Sequence, residues 1–374
     1  MSANRKILLN PGPGTTSQRV KDSLKVDDIC PRKKDFGNLI DNLRTKLTRV
    51  VSAEKTHTAV LFAGSGTAAV ESCISSLMGA DDKLLIIDNG AYGERAHIIA
   101  KAYGVPHKII HYRWDAYPDV IKIEEEILKE ASFTHCFFVH HETTTGMLNP
   151  LEAMLQLCRK HQLVSIVDTI SSYAGIPLDL SQVPIDYLIS NSSKCIQGFP
   201  GVCFVIAEKA ALWKTESLPK RNFYLNLFEN WKYIDEKHEF QFTPPVQVLY
   251  ALSEALDEFF DEGQETRYKR YVNCYSVLLS EMKRLNFSCL IPESQHSKLL
   301  TAFFEPKDSR YQFEAMHDYL YERGITIYPG KLIEVNTFRI ANIGDLYPED
   351  IRTFIKNLET YLIESKLIVR PDCN

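Results

Sequence analysis

From about residue 40 to residue 210, short apolar runs alternate with stretches of helical spacing, and no other feature constrains the fold as much. "TAVLFAG", "KLLIID", "THCFFVHH", "LVSIVD", "IDYLIS" and "GVCFVIA" read as buried strands. "TAAVESCISSLM", "YGERAHIIAKAYG" and "LEAMLQLCRKH" lie between them, and Phe36 to Val51 lies ahead of them, all with the apolar spacing of helices. A strand that is apolar throughout has no face to give to water, so its sheet must be covered on both sides. The pattern therefore predicts an α/β fold with a mainly parallel sheet between two layers of helices.

After about residue 250 the pattern changes. A long helical stretch runs from "VLYALSEALDEFFDEG" through "YSVLLSEMKRL", and the shorter strands "LLTAFFE", "ITIYPG" and "TFRIANIG" follow. This predicts a smaller α+β domain. The expected division is an N-terminal segment 1–15, a large α/β domain 16–255 and a small C-terminal domain 256–374, packed together without a flexible linker.

At 374 residues the chain has room for two domains. With 24% charged and 45% hydrophobic residues and a net charge of −5, it has the composition of a soluble globular protein. A mildly acidic chain argues against a nucleic-acid partner or a basic membrane-facing surface. The nine cysteines are odd in number and include no CxxC pair, which argues against a disulfide framework or a metal site and for a reducing compartment. The opening "MSANRKILLNPGPGTT" does not read as a signal peptide, and no apolar stretch has transmembrane length. A cytoplasmic location is the expectation.

In a parallel sheet, chemistry gathers at the carboxyl ends of the strands. In "LFAGSGTAAVE", Ser65, Gly66 and Thr67 sit where the first N–H groups of a helix point outward, a place suited to phosphate. The same residues could equally form a plain capped turn, and neither a P-loop nor a complete dinucleotide fingerprint is present. Tyr92 in "IIDNGAYGERA" can stack on a planar ligand or pack over its own loop. Thr143 belongs to a run of three threonines in "FVHHETTTGMLNP". Asp168 ends "LVSIVD", where a carboxylate at an apolar sheet mouth calls for a positive partner unless it caps a helix. Lys194 in "LISNSSKCIQGFPG" follows the next strand, so one crossover brings it to the same edge.

Each of these residues has an ordinary structural reading alone, but together they point to pyridoxal 5′-phosphate. A lysine can hold the cofactor's aldehyde covalently. An aspartate keeps the pyridine nitrogen protonated, so the ring accepts electrons. The glycine loop holds the phosphate, the aromatic covers the ring, and the lysine amine, once freed, carries a proton.

The chain resembles the class V aminotransferases of fold type I on "LLNPGPGTTSQRVKDSL", "GSGTAAVE", "NGAYGERA", "HETTTGMLNP", "VDTISSYAGIPLD", "IDYLISNSSKCIQGFPG", "HSKLLTAF" and "FRIANIG". Within that family, "HETTTGMLNP" and "SSKCIQG" are most similar to the branch that moves an amino group from 2-aminoethylphosphonate to pyruvate. The resemblance implies a sheet of the seven-stranded type, a small amine and a keto acid as substrates, and a homodimer with shared active sites. It implies that Lys194 holds the cofactor and that Asp168 faces the pyridine nitrogen. Ser65, Gly66, Thr67 and Ser193 would meet the phosphate, Tyr92 the ring and Thr143 the phenolic oxygen. Thr243 in "FQFTPPV" would reach the phosphate of the neighbouring subunit, while Phe240 stands where related enzymes often have a tyrosine. Arg339 would receive the substrate's anionic group, for which a forked guanidinium suits carboxylate and phosphonate alike. Arg32 in "CPRKKDF" is a further anion-binding candidate or a solvated charge.

Three other functions compete: the same scaffold with another donor (alanine, serine or phosphonoalanine, with glyoxylate or pyruvate), a lyase or cysteine desulfurase, and a non-enzymatic nucleotide-binding protein. A desulfurase needs a mobile nucleophilic cysteine, and Cys289 in "NFSCLIP" lacks an obvious flexible loop. A nucleotide-binding protein would leave Lys194, Asp168 and the threonines without a shared purpose.

Overall fold

The computed structural model describes residues 5–130, 132–330 and 335–368. Seven strands form the central sheet: β1 (His57–Gly64), β2 (Leu84–Asp88), β3 (His107–His111), β4 (His135–Val139), β5 (Val164–Asp168), β6 (Tyr187–Asn191) and β7 (Gly201–Glu208). Their order across the sheet is β1-β7-β6-β5-β4-β2-β3. All neighbouring pairs are parallel except those made by β7, which runs antiparallel to both β1 and β6.

Helices cover both faces, as the uniformly apolar strands require. Alternate residues of one strand enter different cores: Phe138, Val167 and Leu188 lie on one side, and Phe137, Ile166 and Ile189 on the other. Complete burial of each such side chain stabilises the fold by about 1.5–3 kcal/mol before entropy is counted. The edge strand β3 departs from the sequence reading, which left "HKIIH" unassigned. Its residues are half-buried or exposed, because an edge strand need not be apolar on both faces.

The C-terminal part has its own core, built on Phe303, Leu320, Phe338 and Phe354. A three-stranded antiparallel sheet places Thr337–Ala341 between Leu300–Phe304 and Tyr328–Pro329. The long helical stretch is two helices, Val246–Glu262 and Gln264–Arg284, divided at Gly263, whose φ of +82° few other residues adopt readily. The first helix packs on the large core and the second reaches the small one. The start of the chain also joins the small body. Ile7–Leu8 pairs in parallel with Ile325–Thr326, and Leu9 lies in its core. No helix among the described residues is long and apolar enough to cross a membrane.

Candidate active site

Gly64, Asp88, Val139, Asp168 and Asn191 end their strands along one edge of the sheet. Ser65 is the N-cap of helix Gly66–Ser76, but its side chain makes no capping bond, so the first-turn N–H groups face outward. A Cβ on Gly66 would come within 2.6 Å of Ile170 and 3.2 Å of Asn191 Nδ2, so this turn lies against the loop that follows β5 and the end of β6. Asn191 Oδ1 accepts from the Ser193 N–H at 3.2 Å. Ser65–Thr67, Asp168 and Ser193 thus belong to one patch.

Asp168 is buried and accepts from the Ile170 N–H at 2.9 Å. Burial pushes its carboxyl up to about 6, against the pull of that N–H and of the positive Arg95 and Lys194 nearby. Lys194 is half-buried, and its Nζ donates to Pro11 O at 2.5 Å. Gly12 has φ +134°, and a Cβ there would lie 2.3 Å from Lys194 Nζ. The N-terminal segment therefore crosses directly over the lysine, in a backbone conformation that residues other than glycine rarely adopt. Gly14 N donates to Ser193 O at 3.1 Å and fixes that crossing.

Tyr92, one residue into helix Ala91–Ala102, lies beside Glu142, Thr143, Arg95 and Arg339. Arg339 is 3% exposed, on the middle strand of the small sheet. Its Nε donates to Pro329 O at 3.0 Å, and its Nη1 donates to Thr143 O at 3.1 Å. Residues 196 positions apart in sequence are so brought together at the end of the large sheet.

Three residues at this edge escaped the sequence reading. Glu142 is fully buried, and its Oε1 accepts from Thr144 N at 2.9 Å and Thr144 Oγ1 at 2.5 Å. Burial drives its acid up to about 7. Arg95 donates to Thr67 Oγ1 at 3.2 Å and lies 4.9 Å from the Tyr92 ring centre, giving the glycine turn a cation. The i, i+3 spacing from Tyr92 was the available signal. His141 Nδ1 donates to Ser171 O at 3.0 Å, and its buried Nε2 has no partner among the described residues. Burial, helped by the Lys194 charge, holds this imidazole neutral, down to about 4.

Arg32 and Thr243 lie apart from these contacts. Arg32 donates to Glu239 Oε2 at 3.0 Å, Phe240 O at 2.5 Å and Gln241 O at 3.4 Å, and so pins the segment just before Thr243. Thr243 itself is exposed. Phe240 points into its own core, 5% exposed. Cys289 is partly buried beside the small sheet, and its thiol is pushed up to about 11 by burial, which suits packing rather than nucleophilic chemistry. No group of three or more metal-binding side chains occurs among the described residues.

This arrangement fits pyridoxal phosphate. An open helix start with a neighbouring guanidinium suits a phosphate, and Gly66 lets that turn pack closely against Ile170 and Asn191 at the sheet edge. The lysine, the buried carboxyl and an imidazole nitrogen with no partner among the described residues lie along the same edge.

Comparison with known proteins agrees with this chemistry. Residues 26–339 match the family described as aminotransferase class V. The chain is 38% identical to the 2-aminoethylphosphonate–pyruvate transaminase of Vibrio vulnificus (strain YJ016), over 95% of this chain and 97% of that one. It is 38% identical to the enzyme of the same name from Salmonella paratyphi C, over 98% of this chain and all of the relative. Among solved structures, alanine–glyoxylate aminotransferase from Nostoc sp. superposes with a TM-score of 0.90 at 25% identity, covering 97% of this chain and 96% of that one. The chain belongs to the class V aminotransferases.

Proposed function

We propose that this enzyme transfers the amino group of 2-aminoethylphosphonate to pyruvate, yielding phosphonoacetaldehyde and L-alanine. The reading is supported by the 38% identity, over nearly the whole chain, to relatives of that name. The observation that carries it in this molecule is the Arg339–Thr143 tie, a buried cation held beside Tyr92. Backbone carbonyls occupy Nε and Nη1, so the guanidinium is oriented before substrate arrives. A phosphonate and a carboxylate can use the same fork in turn.

Pyridoxal phosphate supplies an aldehyde that takes up the amine and a ring that accepts electrons when the adjacent C–H bond breaks. The turn N–H groups of Ser65–Thr67, with Ser193 and Arg95, would hold its phosphate. Asp168 would face the ring nitrogen, and a protonated nitrogen there returns its carboxyl to the charged form that burial alone disfavours. Tyr92 would cover the ring, and Thr143 would bond its phenolic oxygen. The Lys194 amine would hold the aldehyde and, once released, move the proton from the substrate carbon.

We also assign the assembly as a homodimer. Exposed Thr243 adjoins an aromatic surface in which Phe242 lies 5.6 Å from Phe223 and 4.8 Å from Tyr224. Phe223 is 78% exposed, which suits coverage by a second copy whose phosphate site Thr243 would complete.

The test follows single half-reactions by absorbance, with 2-aminoethylphosphonate, alanine, serine and phosphonoalanine added separately without keto acid. The first should convert the cofactor to its amine form, and pyruvate should restore it. Conversion by another amine but not by this one would leave the cofactor site standing and refute the substrate.

A further inference from the structure

Behind the Lys194 turn lies a buried polar network that none of the roles above uses. Gln197, 3% exposed, follows Lys194 by one turn, and its N–H bonds the lysine's own carbonyl at 2.9 Å. Its side-chain Nε2 donates to Tyr271 Oη at 2.7 Å and to Gly344 O at 3.0 Å. The Tyr271 hydroxyl donates to Cys195 O at 3.5 Å and accepts from Gly344 N at 3.4 Å. Arg267, 1% exposed, donates to Cys195 O at 3.1 Å and pairs with Glu262 at 2.6 Å. Arg270 binds the same glutamate and donates to Gly344 O at 2.9 Å.

Gly344 lies just beyond the strand that carries Arg339, and Cys195 adjoins Lys194. One hydroxyl and one amide therefore bridge the turn that carries the reactive amine and the strand that carries the anion-binding cation. Hydrogen bonds hold a narrow range of distance and angle. We propose that Gln197 and Tyr271 are positioning residues that fix the spacing between the Lys194 amine and the Arg339 guanidinium, and so select the length of the amine substrate. This rests on the reading of Arg339 as the anion site. One methylene adds a C–C bond of about 1.5 Å and so extends the reach by less than that, while a misplacement of about 1 Å can cost on the order of a hundredfold in rate.

The experiment compares kcat/KM for aminomethylphosphonate, 2-aminoethylphosphonate and 3-aminopropylphosphonate in the wild type, Tyr271→Phe and Gln197→Gly. Phenylalanine keeps the shape of Tyr271, and glycine suits the φ of +71° at position 197. The preference for the two-carbon donor should fall by about tenfold or more in each variant. In cofactor-free protein, amide hydrogen exchange should quicken together in 195–198 and 342–346. A uniform loss across all three donors, with the preference unchanged, would reduce the network to a structural role and overturn the proposal. If the wild type ignores all three phosphonates and uses another amine, the substrate reading has failed. The tie is then judged on that donor's own shorter and longer homologues, by the same ratio.

Discussion

The carboxyl edge of the large sheet and the small sheet behind Arg339 build their halves of the site in different ways. At the large sheet, topology does most of the work: parallel strands deliver their last residues to one line, so Asp168 and the Gly66 turn meet without special contacts. Lys194 joins them from the turn after the next strand. The small sheet contributes a single buried cation, fixed by two backbone carbonyls from distant parts of the chain. The first half should fail when its own groups are changed, and should shift its donor preference when the Gln197–Tyr271 tie behind it is cut. The second should be sensitive to what holds it.

Lys194→Ala tests the first half most severely. Loss of the amine should lower turnover by on the order of 10⁴-fold in steady-state assays, since proton transfer alone contributes up to about that much. Near-normal turnover would show that another group does this work. Arg339→Ala comes next, with an expected loss of about a hundredfold in kcat/KM for both the amine and the keto acid, the scale of a lost charged hydrogen-bond pair. Arg339→Lys should recover only part of it, because an ammonium lacks the fork. A loss for one substrate alone would mean that the two anions use different sites.

The two buried acids sharpen the contrast through pH. Asp168 and Glu142 are raised to about 6 and about 7 in the protein without cofactor. The folded state then holds protons that the unfolded state has released, so these groups destabilise as pH rises from about 4 to about 7. Asp168→Asn should flatten that slope, removing at most about 3 kcal/mol of the total fall, measured as melting temperature against pH relative to the wild type. Cofactor binding should remove the Asp168 share and leave that of Glu142. An unchanged slope in the variant would deny the burial cost. The smallest effect belongs to Arg32→Ala: its exposed ion pair with Glu239 predicts a stability loss below about 1 kcal/mol in chemical denaturation. A loss of several kcal/mol would give the 239–241 segment a larger role than its surface position suggests.

Much of this was legible in the sequence because buried strands and the polar residues that end them are local patterns. The alternation of "KLLIID", "THCFFVHH" and "LVSIVD" with helices predicts the sheet, and Asp168 and Lys194 follow from where strands stop. What escaped depends on contacts remote in sequence or on mixed polarity. β3 escaped because its edge position admits histidines and a lysine. Glu142 looked like part of a polar turn, and its burial shows only when Gly90 and Tyr92 close over it. Gln197 escaped for the same reason, since its partners Tyr271 and Gly344 come from the other end of the chain.

The central claim is that the groups along one sheet edge form a single cofactor site with Lys194 at its reactive point. Borohydride reduction of the cofactor-loaded enzyme, followed by peptide mass spectrometry, tests it most directly. The account predicts one pyridoxyl group per chain, on the peptide containing Lys194. Label on a different lysine, or none at all, would contradict it.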